Sequence, residues 1–265
     1  MARLGVFDSG LGGLTVVREI QALLPHLPIT YIGDSCHAPY GPRSADEIFA
    51  LSRAQCEVLL AQGCTVLVIA CNTATAAAAA RLREHFPTTP IIGMEPAVKP
   101  AAAATTTGVI GVLATVGTLQ SARFAALLDQ FATELTVHTR SCPGWVEAVE
   151  AGAFETPETL TLLRREVEPL LAAGADTLVL GCTHFPALRE PLQRLVGPDV
   201  TLIDTGAAVA RRVAALVPLG RSGGLSLTTP GDIQAFSRAA QAILKMECLP
   251  KVAALFWKDG LLENG

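Results

Sequence analysis

One segment of this sequence occurs twice, and the repeat limits the fold more than any other feature. Residues 61–73 (AQGCTVLVIACNT) align without a gap on residues 172–184 (AAGADTLVLGCTH), so that Cys71 matches Cys182. Each copy holds a short apolar run, which is typical of a central parallel strand covered by helices on both faces. Each run ends in small polar residues. Because ligand sites in open α/β sheets lie at the carboxyl ends of strands, both thiols are candidate site residues.

The strands that open each half of the chain extend the repeat. Asp8 ends a predicted strand and lies 63 residues before Cys71. Ala114 ends another predicted strand and lies 68 residues before Cys182. The sequence therefore predicts an α/β fold with two similar doubly wound lobes and mainly parallel sheets, related by a pseudo-twofold axis. The active site is expected in the cleft between the lobes.

The last part of the chain lacks a cysteine strand. Its pattern predicts a helix over 232–244 and a final apolar strand over 252–256. We interpret this section as completing the first lobe, which makes that domain discontinuous. The predicted domains are 1–96 plus 208–265 for the first lobe and 97–207 for the second.

A glycine-rich turn follows Asp8 and Ser9. The turn precedes a predicted helix, so it brings backbone N–H groups and a helix N-terminus to the end of the strand. The sequence matches neither the G-x-G-x-x-G dinucleotide pattern nor a P-loop. The turn is therefore expected to suit a small carboxylate better than a pyrophosphate.

Composition excludes several function classes. The net charge is −4 and aromatic residues make up 5% of the chain, so no nucleic-acid partner is expected. No apolar run approaches the roughly 18 residues that a membrane span needs. The N-terminal residues lead directly into a predicted strand, without a signal peptide. The expected location is therefore the cytoplasm, and no membrane partner is expected.

The seven cysteines are odd in number, scattered and without a C-x-x-C pair. This usage predicts free thiols, with neither a disulfide framework nor a metal site. We interpret Cys56, Cys64 and Cys248 as small buried apolar residues in helices or at helix ends. Cys36 and His37 are adjacent, which does not favour metal chelation, and both are interpreted as structural.

Two thiols on opposite walls of a cleft suit proton transfer at carbon. A thiol has a pKa of about 8.5, which neighbouring groups can tune toward neutrality. One thiolate removes a proton from one face of a carbon while the opposite thiol delivers a proton to the other face, which inverts the centre. Two alternatives stay open: a pair of structural buried cysteines, and a redox pair, although C-x-x-C is absent.

The ordered set of motifs resembles the glutamate racemase family of the aspartate/glutamate racemase superfamily. These motifs run over essentially the whole chain. In chain order they are Asp8-Ser9-Gly10, Pro39-Tyr40-Gly41, Ala70-Cys71-Asn72-Thr73-Ala74, Glu95-Pro96, Thr115-Val-Gly-Thr118 and Gly181-Cys182-Thr183-His184. The resemblance implies cofactor-independent interconversion of L- and D-glutamate, which supplies D-glutamate for peptidoglycan. No lysine lies in a motif that suggests a pyridoxal phosphate Schiff base.

The resemblance also implies roles for individual residues. Cys71 and Cys182 are the two bases, Asp8 and His184 assist the neighbouring thiols, and Glu150 is an auxiliary carboxylate. The implied substrate-binding residues are Asp8, Ser9, Tyr40, Gly41, Asn72, Thr73, Thr183 and His184. No metal is implied, and the family forms homodimers.

Several alternatives to glutamate racemisation remain at this point. A related racemase for aspartate or a hydantoin would use the same two-thiol chemistry, and a binding protein would capture an acidic amino acid without turnover. A decarboxylase of the same superfold needs only one thiol, so Cys182 argues against it. The chain begins almost at Asp8, without the N-terminal extension of members that a cell-wall precursor activates, which puts regulation by that route in doubt.

Overall fold

Two sheets carry the two copies of the repeat. In the computed structural model of the chain, which describes residues 3–217 and 223–264, strands and helices alternate along most of the length. The first copy comprises β1 (Leu4–Asp8), α1 (Leu14–Leu23), β2 (Ile29–Gly33), α2 (Ala45–Ala61), β3 (Val66–Ile69), α3 (Asn72–His85) and β4 (Ile91–Ile92).

The second copy follows α4 (Val98–Ala104). It comprises β5 (Val109–Ala114), α5 (Val116–Leu119), α6 (Ala122–Phe131), β6 (Thr136–Ser141), α7 (Trp145–Glu150), α8 (Pro157–Ala172), β7 (Thr177–Leu180), a 3₁₀ turn (Phe185–Leu188), α9 (Arg189–Val196) and β8 (Thr201–Ile203). The final elements are α10 (Gly206–Leu216), β9 (Leu225–Thr229), α11 (Ile233–Leu244), β10 (Val252–Lys258) and β11 (Leu261–Asn264).

The same strand order occurs in both sheets. The first contains the order β2-β1-β3-β4 and the second the order β6-β5-β7-β8, with every one of these neighbours parallel. Strands β9, β10 and β11 extend the first sheet beyond β2, and β10 and β11 pair antiparallel. The predicted α/β class with two mainly parallel sheets is confirmed.

The domain boundaries remain a prediction. The return of β9 to β11 to the first sheet is the observation that supports a discontinuous first lobe. Within the predicted ranges, residues 1–2, 218–222 and 265 lie outside the described part of the chain.

Three short elements were not expected from the sequence: α5, β9 and β11. In β9, the hydroxyls of Thr228 and Thr229 donate to the carbonyls of Tyr31 and Gly33, so polar side chains are accommodated in a buried strand. The turn before β11 is Asp259-Gly260, with φ of 49° and 77° at its two residues. An Asp-Gly pair is a strong signal for a two-residue hairpin, so this element was predictable.

The cysteines are free thiols, as predicted. Cys56 and Cys64 are buried, in agreement with their interpretation as small core residues. The interpretation of Cys248 was wrong, because this residue lies exposed in the loop between α11 and β10. The last buried residue of the preceding helix is Leu244, and the loop begins directly after it.

Apolar packing joins the two lobes on one side of the cleft. The largest cluster of buried side chains includes Val17 and Ile20 of α1 together with Trp145 of α7 and Phe185 of the 3₁₀ turn. The rings of Trp145 and Phe185 meet edge to face, with centroids 4.8 Å apart. This packing fixes the carboxyl ends of β1 and β7 relative to each other. Within the described residues, no helix has the length and apolar character needed to span a bilayer.

Candidate active site

Both repeated thiols lie at strand ends, where the alignment predicts them. Cys71 directly precedes α3, and its Sγ caps the helix by accepting a hydrogen bond from the Ala74 N–H at 3.4 Å. The Cys71 thiol also donates to Ser9 Oγ at 3.7 Å. Cys182 follows β7, just before the 3₁₀ turn. Both side chains are buried, with 5% and 7% of their surface exposed, so neither thiol is open to bulk water.

The protonation of Cys71 differs from the sequence-based expectation. Burial raises the pKa of its thiol to about 12, and the negative charges of Asp8 and Cys182 add to this rise. Hydrogen bonds from the Ala74 N–H and the Ser9 hydroxyl lower the pKa, but by less than burial raises it. The neighbours of Cys71 therefore do not tune its pKa toward neutrality. The reason is the depth of the site, since a thiolate away from water needs a cation nearby.

Cys182 has a buried histidine beside it. Nδ1 of His184 lies 3.8 Å from Cys182 Sγ, and Nε2 of His184 lies 2.7 Å from Oε1 of Glu150. Burial alone would lower the pKa of His184, but the hydrogen bonds to Cys182 and Glu150 and the charges of Asp8 and Cys182 raise it well above its ordinary value. The direction of this shift favours the imidazolium.

The glycine-rich turn after β1 reaches across to this pair. The Leu11 N–H donates to Oε1 of Glu150 at 2.6 Å, and the Gly12 N–H lies 3.3 Å from Nε2 of His184. The carboxylate at this turn is thus supplied by the protein itself, whereas the sequence suggested a ligand. A Cβ at Gly10 would overlap the Glu150 carboxylate and one at Gly12 would overlap the His184 ring, which explains the glycines.

Asp8 links the end of β1 to the residue after Cys182. Its Oδ1 accepts from the Gly10 N–H at 2.9 Å, and its Oδ2 accepts from the Thr183 hydroxyl at 3.1 Å. Burial raises the pKa of Asp8, while the charge of His184 opposes the rise. Asp8 acts on Cys71 through its charge, because both of its oxygens are directed to Gly10 and Thr183.

Tyr40 and Gly41 lie in the loop between β2 and α2, and Thr73 lies in the first turn of α3. The Tyr40 hydroxyl is buried, donates to Asp34 at 2.7 Å and accepts from Gln55 Nε2 at 2.9 Å. Gly41 lines a cavity of about 400 Å³ together with residues of the second lobe that include Thr115 and Cys142. The hydroxyls of Thr73 and Thr115 are 2.9 Å apart, so a hydrogen bond joins the lobes here.

Asn72 is buried with its polar groups unused. Only 4% of the residue is exposed, and neither its side-chain oxygen nor its side-chain nitrogen has a hydrogen-bond partner among the described residues. Leaving a buried amide unpaired costs about 1–3 kcal/mol per group, so such a group in a folded protein needs an explanation. Its place next to Cys71 makes a ligand the natural partner.

A family model matches the part of the chain that carries both repeated thiols. The model described as Asp/Glu/Hydantoin racemase matches residues 13–213 of this chain. The chain belongs to this racemase family. The match contains both repeated cysteines, so the family's region of similarity covers both walls of the cleft.

Curated members of the family are similar over most of the chain. A glutamate racemase of Ectopseudomonas mendocina is 61% identical over 82% of this chain and 82% of its own length. A glutamate racemase of Pseudomonas putida (strain F1) is 51% identical over 97% of this chain and 94% of its own length.

Solved racemases share the fold. A glutamate racemase isoform from Bacillus anthracis superposes with a TM-score of 0.85 at 34% identity, covering 98% of both chains. The Escherichia coli glutamate racemase, solved in complex with L-glutamate and the activator UDP-MurNAc-Ala, also gives a TM-score of 0.85. Its identity is 32%, covering 97% of this racemase chain and 99% of the E. coli chain.

Two contributors to the racemase site were missed in the sequence. Ser35 donates to Oε2 of Glu150 at 2.9 Å, which fixes the second oxygen of that carboxylate. The Thr15 hydroxyl lies 2.9 Å from the carbonyls of both Gly12 and Thr183. Ser35 lies two residues beyond β2, so the rule that sites form at the carboxyl ends of strands points to it. Thr15 lies inside α1, where no pattern distinguishes it.

Proposed function

We propose that this protein interconverts L- and D-glutamate by direct proton transfer at Cα, with no cofactor. The observation that carries the proposal is the pair of buried thiols at equivalent strand ends, Cys71 and Cys182, each with a different charged neighbour. A structural pair of cysteines would not explain why the unused amide of Asn72 and the imidazolium of His184 lie beside them.

The two thiols exchange roles between the two directions. In the direction from D-glutamate, the Cys71 thiolate removes the Cα proton and the Cys182 thiol donates a proton to the opposite face. The reaction ends with Cys71 protonated and Cys182 as thiolate, which is the state that starts the reverse direction. The assignment of Cys71 to the D enantiomer follows family resemblance.

Charge explains how a thiolate forms in this buried site. The α-ammonium group of glutamate brings a positive charge beside Cys71, which lowers the cost of its thiolate. On the other side, His184 as imidazolium supports the Cys182 thiolate, and Glu150 keeps that imidazolium charged. The negative charge of Asp8 also attracts the ammonium group.

The substrate carboxylates have neutral donors available. Asn72, Ser9, Thr73 and Thr183 supply an amide and hydroxyls, and none of the proposed binding residues is an arginine or lysine. A structure with bound glutamate in which an arginine is the main carboxylate partner would contradict this part of the proposal.

Glutamate is favoured over other substrates by the names of the relatives. The relatives at 51% and 61% identity are glutamate racemases, and one solved neighbour was crystallised with L-glutamate. We extend from the family a role in supplying D-glutamate for peptidoglycan, a cytoplasmic location and a homodimeric assembly.

The test is turnover of purified, dialysed protein on L-glutamate without added cofactor. Circular dichroism should decay to zero, since enantiomers have an equilibrium constant of one, and hydroxylamine treatment should leave the rate unchanged. L-Aspartate and a hydantoin serve as comparison substrates. Saturable binding of glutamate without loss of optical activity would favour the binding-protein alternative, and recovery only with pyridoxal phosphate would overturn the cofactor-free chemistry.

We expect Asn72→Leu to raise KM for glutamate about 10–100-fold, since a hydrogen bond to a charged group is worth about 1.5–3 kcal/mol. The volume change is small and the lost amide makes no protein hydrogen bond, so the fold should persist. Thr177→Val is the matched control, because Thr177 Oγ1 is another buried atom without a partner but lies in β7. Equal KM values for Asn72→Leu and the wild type would remove Asn72 from substrate binding.

We expect kcat/KM to rise with pH between about pH 6 and pH 8, because the reactive thiol must lose a proton. The raised pKa of Cys71 makes its thiolate the minor form at pH 7, and the thiolate fraction grows as the pH rises. The raised pKa of His184 keeps the imidazolium through neutrality and loses it only at higher pH, which predicts a falling limb on the alkaline side. A flat profile over this range would mean that the reactive thiol is already ionised.

A further inference from the structure

Three different ligand groups converge in the loop after β2. Cys36 Sγ lies 3.3 Å from Asp34 Oδ1 and 3.2 Å from His37 Nδ1, and His37 Nδ1 lies 3.0 Å from Asp34 Oδ1. The three atoms form a nearly equilateral triangle. In the part of the chain that the structure describes, these three residues each offer one ligand atom, and the three atoms lie close enough together to hold one metal ion.

The backbone explains how neighbouring residues converge. The His37 N–H donates to the Asp34 carbonyl at 3.0 Å, so the chain turns and brings positions 34, 36 and 37 to one side. The Arg43 side chain donates to the His37 carbonyl at 2.9 Å and holds the far end of the turn. Adjacency of Cys36 and His37 is therefore no obstacle to chelation, and their interpretation as purely structural does not account for this geometry.

Hydrogen bonding accounts for only part of the close contacts in the cluster, because the Cys36 thiol already donates its proton to Asp34 Oδ1. Nδ1 of His37 carries at most one proton, yet it lies within 3.2 Å of the thiol and within 3.1 Å of both carboxylate oxygens of Asp34. One proton serves only one of these contacts at a time. A cation at the centre of the triangle would interact with all three atoms at once.

The surroundings resemble the outer shell of a metal site. Asp34 is fully buried, and its two oxygens accept from the Tyr40 hydroxyl at 2.7 Å and from Trp257 Nε1 at 2.9 Å. The His37 ring also packs edge to face on Trp257, with centroids 5.1 Å apart. These contacts orient the carboxylate and the imidazole, as outer-shell partners of metal ligands do. Cys36 is exposed, which gives an ion access.

We propose that Asp34, Cys36 and His37 form a binding site for a zinc-like divalent cation, with a fourth position open to solvent. Sulfur, imidazole and carboxylate ligands together suit Zn²⁺ at distances of about 2.0–2.3 Å. In a tetrahedral site such bonds put ligand atoms roughly 3.3–3.7 Å apart, so the triangle needs to widen by only a few tenths of an ångström. Binding releases the Cys36 proton to solvent and forms the metal–sulfur bond.

The site is distinct from the two repeated thiols but shares a loop with the proposed substrate residues. Asp34 accepts the hydrogen bond of Tyr40, and Gly41 follows directly. An ion on Asp34 would therefore stiffen the loop that forms one wall of the cleft.

The test uses Co²⁺ alone as probe, added to reduced, chelator-treated full-length protein. A thiolate ligand to Co²⁺ gives a near-ultraviolet charge-transfer band, and we expect this band to saturate at one equivalent and to be displaced by Zn²⁺. Cys36→Ser should abolish the band, and His37→Gln should weaken Co²⁺ binding by more than about 100-fold, since outer-shell losses already cost 10–100-fold. Trp257→Phe should weaken it less than His37→Gln does.

Two controls separate this site from other thiols. Cys248→Ser removes the other exposed cysteine and should leave the band unchanged. A Cys71→Ala/Cys182→Ala double variant should keep the band while losing turnover, so the outcome does not depend on racemase activity. Absence of a band in the wild type, or a band that survives Cys36→Ser, would overturn the proposal and leave a hydrogen-bonded cluster.

Discussion

Replacing either Cys71 or Cys182 with alanine is expected to abolish racemisation in both directions. Every turnover needs one base and one acid on opposite faces of Cα, so losing either thiol stops the L-to-D and the D-to-L reaction alike. A general acid or base contributes about 10²–10⁴ in rate, which corresponds to about 3–5 kcal/mol in barrier. Circular dichroism from each pure enantiomer measures the loss.

Cys64→Ala is the matched control for these variants. Cys64 lies in the same repeated segment and is buried, but it packs among apolar side chains of the first lobe. Its replacement should leave kcat/KM within a few-fold of the wild-type value. Near-normal racemisation by either the Cys71→Ala or the Cys182→Ala protein would remove that thiol from the mechanism.

Reaction in D₂O tests the division of labour between the thiols. In the wild type, early product should carry deuterium at Cα while recovered substrate stays protiated, because the proton removed by one thiol is not the one delivered by the other. In Cys71→Ala, the remaining Cys182 should exchange the Cα proton of L-glutamate only. Equal early deuterium in substrate and product of the wild type would indicate one base that acts on both faces.

The sequence was sufficient for the position of the thiols because the signal is local and repeated. The apolar runs of the repeat predict strands over 66–70 and 177–180, and the structure has them at Val66–Ile69 and Thr177–Leu180. An apolar run followed at once by a polar end depends little on distant parts of the chain. The hairpin of β10 and β11 was not predicted, although it also has a local signal, the Asp259-Gly260 turn between its two strands.

The chemistry around the thiols was less accessible from the sequence. The raised pKa of Cys71 follows from burial, and no motif reports how deep a strand end lies. Likewise, Glu150 and Leu11 are 139 residues apart in the chain, and their hydrogen bond exists only because the lobes pack together. Family resemblance identified Glu150 as a candidate, whereas its contacts with His184, Leu11 and Ser35 needed the three-dimensional structure.

His184→Asn is expected to lower kcat/KM about 10²-fold or more, by removing the imidazolium beside Cys182. The loss must be equal for the two enantiomers, because their equilibrium constant is one. The isotope effects should nevertheless differ. Proton transfer involving Cys182 becomes the slower step, so Cα-deuterated L-glutamate should give a larger isotope effect on kcat/KM than in the wild type. Cα-deuterated D-glutamate, whose deuterium goes to Cys71, should give a smaller one.

This asymmetry distinguishes a role at Cys182 from general damage to the site. Glu150→Gln keeps a hydrogen-bond acceptor for Nε2 but removes the charge that holds His184 protonated. It should therefore shift each isotope effect in the same direction as His184→Asn does, but by a smaller amount. His26→Asn is the matched control, since His26 is exposed. If His184→Asn lowered kcat/KM and left both isotope effects at wild-type values, His184 would serve binding or folding. The support that the structure indicates for the Cys182 thiolate would then have no part in proton transfer.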